Sequence, residues 1–219
     1  MSGGTGVLPE GLLKPSSVYR AGIAFLITGT IIGGYFVITD GITIAIILGF
    51  AILSIYFYST KIVDSGLGEF FVAVKGSMIV VGTFFIQSGQ ISIESTLAGI
   101  VVGSLSSLVL FIASFPDHDA DKSKGRKTLV IAVGKKRGSK LFWIFPLVSY
   151  LAIISGVATN LFPVLSLISF LAIPLMIKSG IGLQRHHDSI DNLVPYMSST
   201  LMFGRITGVL FVIGFLIPV

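Results

Sequence analysis

Three aspartates, Asp117, Asp119 and Asp121, follow directly on a long apolar stretch and lead into a run of cations. Asp117 and Asp121 are four residues apart. On a helix that spacing puts both carboxylates on one face, with β-carbons about 5–6 Å apart. Two like charges in that geometry repel, and a divalent cation turns the repulsion into a binding site. Mg²⁺ is typically held by one or two carboxylates together with substrate phosphates. Lys122, Lys124, Arg126 and Lys127 come next and supply positive charge for a phosphate-rich ligand. Gly125 permits a tight turn among them. Asp119 projects about 200° around the helix from Asp117, so it stands outside the pair. The plainer alternative is a solvated, topology-setting loop. Basic residues alone satisfy that role, and three aspartates at the end of an apolar span are not needed for it.

The elements that must position this pair are membrane spans. Of the 219 residues, 53% are hydrophobic and only 11% charged, against about 25% charged in soluble domains. The mean hydropathy is +0.96. A helix needs about 20 mostly apolar residues to cross a bilayer. Seven stretches approach that length, at 17–38, 42–58, 69–86, 95–115, 139–158, 161–177 and 199–217. The expected fold is therefore all-α, a polytopic transmembrane bundle of about seven helices in one membrane domain. The formal net charge is +5. The cations sit in loops between spans, so topology explains them better than nucleic acid does.

The gaps at 39–41, 87–94 and 159–160 hold no lysine or arginine. The N-terminal segment and the other three gaps are basic or mixed. Positive residues mark the cytoplasmic side, which places the N-terminus and the aspartate-bearing loop inside. The first 15 residues are polar and glycine-rich, with no apolar core of a signal peptide. The chain has no cysteine, which excludes disulfides, zinc thiolate sites and cysteine nucleophiles. Lys75 and Arg205 lie within spans, where they snorkel or face the bundle interior. Glycine pairs at 29 and 33, 99 and 103, and 204 and 208 suit close helix packing. Pro146, Pro163 and Pro174 are candidate kinks.

Other polar residues have two readings each. Glu69 is either a charge suited to a helix N-terminus or a substrate contact. Asn192 caps the final helix, the favoured reading, or touches substrate. His186, His187 and Asp188 suggest a metal, but adjacent histidines on a loop rarely share one.

The run Pro-Asp-x-x-Ala-Asp-Lys-x-x-Gly-Arg-Lys-Thr-Leu at 116–129 resembles the second aspartate-rich motif of the UbiA-type intramembrane prenyltransferases. The segment at 2–13 resembles the stretch just after that family's first aspartate motif. Gly66-Leu67-Gly68-Glu69, with Gly82-Thr83 and Gln87-Ser88-Gly89, resembles the branch that prenylates 1,4-dihydroxy-2-naphthoate for menaquinone. Asp191-Asn192-Leu193-Val194-Pro195 is also typical of that branch. The resemblance covers nearly the whole chain.

It implies nine helices in the family, of which these spans correspond to helices three to nine. The first motif, Asn-x-x-x-Asp-x-x-x-Asp, has no counterpart here. The expectation is a start set too late, with a truncated paralogue as the alternative. Two further departures are Lys75, where the family usually carries an apolar or aromatic residue, and a trimmed segment at 59–65. The implied reaction moves a polyprenyl group from its diphosphate to an aromatic ring. By the same resemblance Asp117 and Asp121 would hold one Mg²⁺. Lys61, Lys122 and Arg126 would meet diphosphate oxygens, and Tyr58 would donate to them. Rival readings are a UbiA-type enzyme with another acceptor, such as a different quinone ring or a glycerophosphate lipid, and a non-catalytic membrane protein. A transporter or receptor lacks the deep intramembrane charge that marks an ion path, Lys75 being the only partial candidate.

Overall fold

The computed structural model describes residues 7–8, 10–57 and 62–217. Most of these are helical, with no strand among them. Tyr58 and Lys61 lie outside the described residues. Six helices are long and apolar enough to cross a membrane, so the chain is a multi-pass membrane protein. The chain divides into two compact units, 1–60 and 61–219.

The first unit is a hairpin of α1 (Pro15–Asp40) and α2 (Ile42–Phe57). Pro15 opens α1, where its missing amide costs no helical bond. Gly41 closes it at φ +79°, and its amide donates to the Val37 carbonyl at 3.0 Å. Gly33 lies against Leu48 across the hairpin. α2 has 16 residues, about 24 Å at helical rise. That is short of the roughly 30 Å hydrocarbon layer, so the second expected span is the shortest of the set.

The second unit contains α3 (Gly68–Ser88), α4 (Ile93–Ser123), the short α5 (Leu129–Val133) and α6 (Lys135–Leu141), α7 (Ile144–Ala158), α8 (Ile173–His186) and α9 (Ile190–Leu216). α3 and α4 run antiparallel through small residues. Ser107 Oγ donates to the Glu69 carbonyl at 2.7 Å. Gly103 sits on Ala73, and Ser77 Oγ donates to the Gly99 carbonyl at 2.9 Å. The pairs step by four on both helices, which is the ridge spacing of a close helix contact. Here the glycine pair at 99 and 103 packs as expected. Gly29, Gly204 and Gly208 have nothing within 4 Å of an added Cβ.

α4 is the central element. Ser92 caps it through a reciprocal pair of bonds with Ser95. Val101, Leu105, Leu108, Phe111, Ile112 and Phe115 are buried along it. Ser104 Oγ donates to the Phe145 carbonyl at 2.6 Å, tying α4 to α7.

Several boundaries differ from the sequence-based expectation. α4 continues through Pro116 to Ser123. The segment at 161–177 becomes a 3₁₀ stretch, Val164–Ala172, running into α8. The last helix begins at Ile190 and contains Pro195. The candidate kinks Pro146, Pro163 and Pro174 fall at interruptions of the helical run. They sit in or just before first turns, where no helical amide is needed. Lys75 and Arg205 are both exposed, so neither faces the bundle interior.

Candidate functional site

The site begins where the apolar part of α4 gives out at Phe115, which is fully packed. One residue later Pro116 removes an amide, yet the helix holds for two more turns. Asp117 and Asp121 therefore share one continuous helical face, about 40° apart in projection. The Asp117 Oδ1 atom is buried and has no hydrogen-bond partner. A buried carboxylate oxygen without a partner is costly, and such an atom is what a metal ligand looks like before its metal is considered.

The helix end is folded back on itself. The Lys124 and Arg126 amides both donate to the Asp121 carbonyl, at 3.1 and 3.0 Å. Gly125 makes the turn at φ +77°. This returns the Arg126 side chain to Asp121, where Nη1 donates to Oδ1 at 3.0 Å. The Asp121 side chain is 16% exposed and that of Arg126 43%. Thr128 then caps α5, its hydroxyl accepting from the Ile131 amide at 3.4 Å.

A second loop approaches this turn. The 3₁₀ turn Val63–Ser65 ends at Gly66, with φ +74°. A Cβ placed on Gly66 would lie 3.3 Å from the Lys127 carbonyl oxygen. The segment at 62–66 therefore lies beside the Arg126–Lys127 turn. The sequence signal for this contact is the pair of glycines, Gly66 and Gly125, at positive φ in separate loops.

Asp119 belongs elsewhere. Its side chain is 76% exposed. Lys135 Nζ donates to one oxygen at 3.1 Å, and His118 Nδ1 lies 2.7 Å from the other.

Not all sequence candidates gather at the pair. Lys122 lies on the His118 side of α4 and lines a different cleft. Glu69 is buried, but its carbonyl sits at the level of Ser107. That is ten residues, roughly 15 Å, along α4 from Asp117. Asn192 does not cap α9: Ser189 holds the cap position, and Asn192 is exposed in the first turn. His186 stacks on Tyr196 with centroids 5.4 Å apart, while His187 Nε2 lies 3.2 Å from Asp188. Among the described residues no group of three or more His, Cys, Asp or Glu could hold a metal. A metal here would be held by the Asp117–Asp121 pair with ligand oxygens completing its shell. The partnerless Asp117 oxygen and the acidic donor set fit a hard divalent cation.

Known proteins resemble this chain along much of its length. It is 27% identical over 209 residues to the 1,4-dihydroxy-2-naphthoate octaprenyltransferase of Bacillus subtilis, covering 94% of this chain and 67% of that protein. The Escherichia coli protein of the same name is 28% identical over 153 residues, covering 68% and 48%. A 2-carboxy-1,4-naphthoquinone phytyltransferase from Synechocystis is 22% identical over 129 residues, covering 58% and 42%. The chain thus spans from about two thirds to less than half the length of these relatives. No solved structure matches it. The model of the UbiA prenyltransferase family matches residues 5–216, almost end to end, and the chain belongs to that family.

Proposed function

We propose that this protein transfers a polyprenyl group from polyprenyl diphosphate to an aromatic acceptor, 1,4-dihydroxy-2-naphthoate, in menaquinone biosynthesis. The observation that carries the reading is the Asp117–Asp121 face of α4, with one buried carboxylate oxygen left without a partner. Family membership and the naphthoid names of the relatives support the acceptor. We read the chain as a single transmembrane prenyltransferase domain, placed in the cell membrane with its basic loops and N-terminus cytoplasmic. The alternation of basic and non-basic gaps supports that orientation.

Enzymes of this family generally depend on a metal ion. Asp117 and Asp121 would hold it, and Mg²⁺ suits two carboxylates joined by diphosphate oxygens. When bound it would supply Lewis-acid stabilisation to the departing diphosphate. The chain's own residues do the remaining work. Arg126, fixed beside Asp121, sets a permanent positive charge where negative charge collects as the carbon–oxygen bond breaks. The Asp121 carbonyl accepts the Arg126 backbone amide, which closes the turn that returns this side chain to Asp121. The apolar bundle below the pair provides a dry surrounding for the isoprenoid. The allyl cation left behind is attacked by the acceptor ring, which then loses its proton.

The test is prenyl transfer by membranes containing the protein, with polyprenyl diphosphate, 1,4-dihydroxy-2-naphthoate and Mg²⁺. Product that disappears with Asp117→Ala is expected. Transfer to glycerophosphate or another quinone ring, but not to the naphthoate, would replace the acceptor while keeping the chemistry. Undiminished transfer by Asp117→Ala would remove the metal site.

A further inference from the structure

The polar end of α4 has a second feature on its other side. An open cleft of about 590 Å³ lies between the α4 extension, the α5–α6 segment and the end of α8. Sites for small ligands run to about 300–1,000 Å³, so the space exceeds what a lone ion needs. Lys122, Lys135, Lys136 and Arg137 line it, against only two carboxylates, Asp119 and Asp188. Asp119 is held by Lys135 and by His118, and Asp188 lies 3.2 Å from His187. Lys122, Lys136 and Arg137 have no carboxylate within ion-pair distance among the described residues. Four cations against two carboxylates leave the lining with two net positive charges, which repel one another and favour an anion.

This cleft is distinct from the aspartate pair, since neither Asp117 nor Asp121 lines it. His118, Asp119 and Lys122 centre about 125° around α4 from the Asp117–Asp121 face. Its height is also defined. The apolar part of α4 ends at Phe115, one candidate span starts at Lys135, and another ends at His186. Three spans therefore reach their polar ends at the cleft, which is the level of lipid headgroups. Ile131 and Val133 add apolar wall beside the cations. A phosphate esterified to an apolar-tailed glycerol matches both parts of that lining. Basic pockets between spans bind such headgroups.

We propose that the cleft binds the phosphate of an anionic lipid headgroup, independently of the aspartate pair. The experiment titrates the purified full chain, in neutral detergent, with phosphatidylglycerol, phosphatidylcholine or inorganic phosphate, and follows the thermal midpoint. Saturable stabilisation by phosphatidylglycerol alone is expected. Each surface cation contributes about fivefold to binding an anionic lipid, so Lys136→Gln with Arg137→Gln should weaken it roughly 25-fold. Lys140→Gln, an exposed cation on α6 that does not line the cleft, is the control and should change it little. Equal weakening by Lys140→Gln would mean diffuse surface charge and overturn the site. So would phosphatidylcholine binding as well as phosphatidylglycerol, or an unaffected double variant. Stabilisation by inorganic phosphate through the same two residues would support the phosphate site and reject the lipid as its occupant.

Discussion

Replacing each aspartate of the pair by alanine should stop turnover in both cases but move stability in opposite directions. In Asp117→Ala the truncation removes a buried oxygen that has no hydrogen bond. Leaving such a group unsatisfied costs about 1–3 kcal/mol, and alanine is also a better helix former than aspartate by roughly half a kcal/mol. Lost packing of a short side chain offsets part of this. The expected net is a gain of about 1–2 kcal/mol. In Asp121→Ala the truncation breaks the 3.0 Å bond to Arg126. That pair is partly exposed, so its loss costs up to about 1 kcal/mol. At about 2–4 °C per kcal/mol, the first variant should melt a few degrees above the parent and the second a little below it. Removing a ligand of the cation that would stabilise the departing diphosphate should cost about 10²–10³ in turnover. The assay pairs melting in detergent, without Mg²⁺, with prenyl transfer in membranes. An Asp117→Ala protein that melts well below the parent would show that its carboxylate is a structural group, and the argument from the orphaned oxygen would fail.

The remaining predictions concern packing and the metal. Gly76→Ala would put a Cβ 2.8 Å from the Gly103 Cα, a backbone atom that cannot rotate away; overpacking of this kind costs about 1–3 kcal/mol, read as a lower melting midpoint. Gly204→Ala meets nothing within 4 Å and should hold or raise the midpoint, since alanine exceeds glycine in helices by about 1 kcal/mol. Chelation of divalent cations should abolish transfer while leaving the far-ultraviolet helical signal intact, with Mg²⁺ restoring activity; transfer that survives exhaustive chelation would remove the metal from the mechanism. Ser92→Ala removes the side-chain bond to the Ser95 amide and should cost about 1 kcal/mol by melting.

The spans are legible because hydropathy over about 20 residues reports the one requirement lipid imposes. Their ends are less so. Hydropathy makes 199–217 the whole last helix, yet α9 starts at Ile190 because Asp191, Asn192 and Pro195 are tolerated in its exposed first turns. The i,i+4 spacing of Asp117 and Asp121 is enough to put both on one face, since it needs only that α4 persist past Pro116. What the spacing does not reveal is which loop residues turn toward that face. Arg126 and Lys122 read alike as cations after the aspartates. The turn at Gly125 sends the first back to Asp121, while helical phase sends the second to the opposite cleft. The places of Glu69 and Asn192 are hidden for a related reason. Their positions depend on helix register and on tertiary packing, which local pattern does not encode.

The persistence of α4 past Pro116 is what makes both faces of its polar end usable. Proline removes the amide that would bond to the Ile112 carbonyl and crowds the preceding turn, a break worth about 3 kcal/mol in an unsupported helix. Three residues around the break, Phe111, Ile112 and Phe115, are almost wholly buried. Phe111 and Phe115 meet edge to face at 5.4 Å, and Phe111 meets Phe145 of α7 at 5.0 Å. Burying side chains of this size is worth about 1.5–3 kcal/mol each, which exceeds the proline penalty. Beyond them the helix is held by the Lys124 and Arg126 amides on Asp121 and by Lys135 on Asp119. An aspartate pair on one side and a cationic cleft on the other therefore rest on one element, rigidly phased by the aromatic packing one turn below. Loosening that packing should disturb both together, whereas substitutions within either face should leave the other intact.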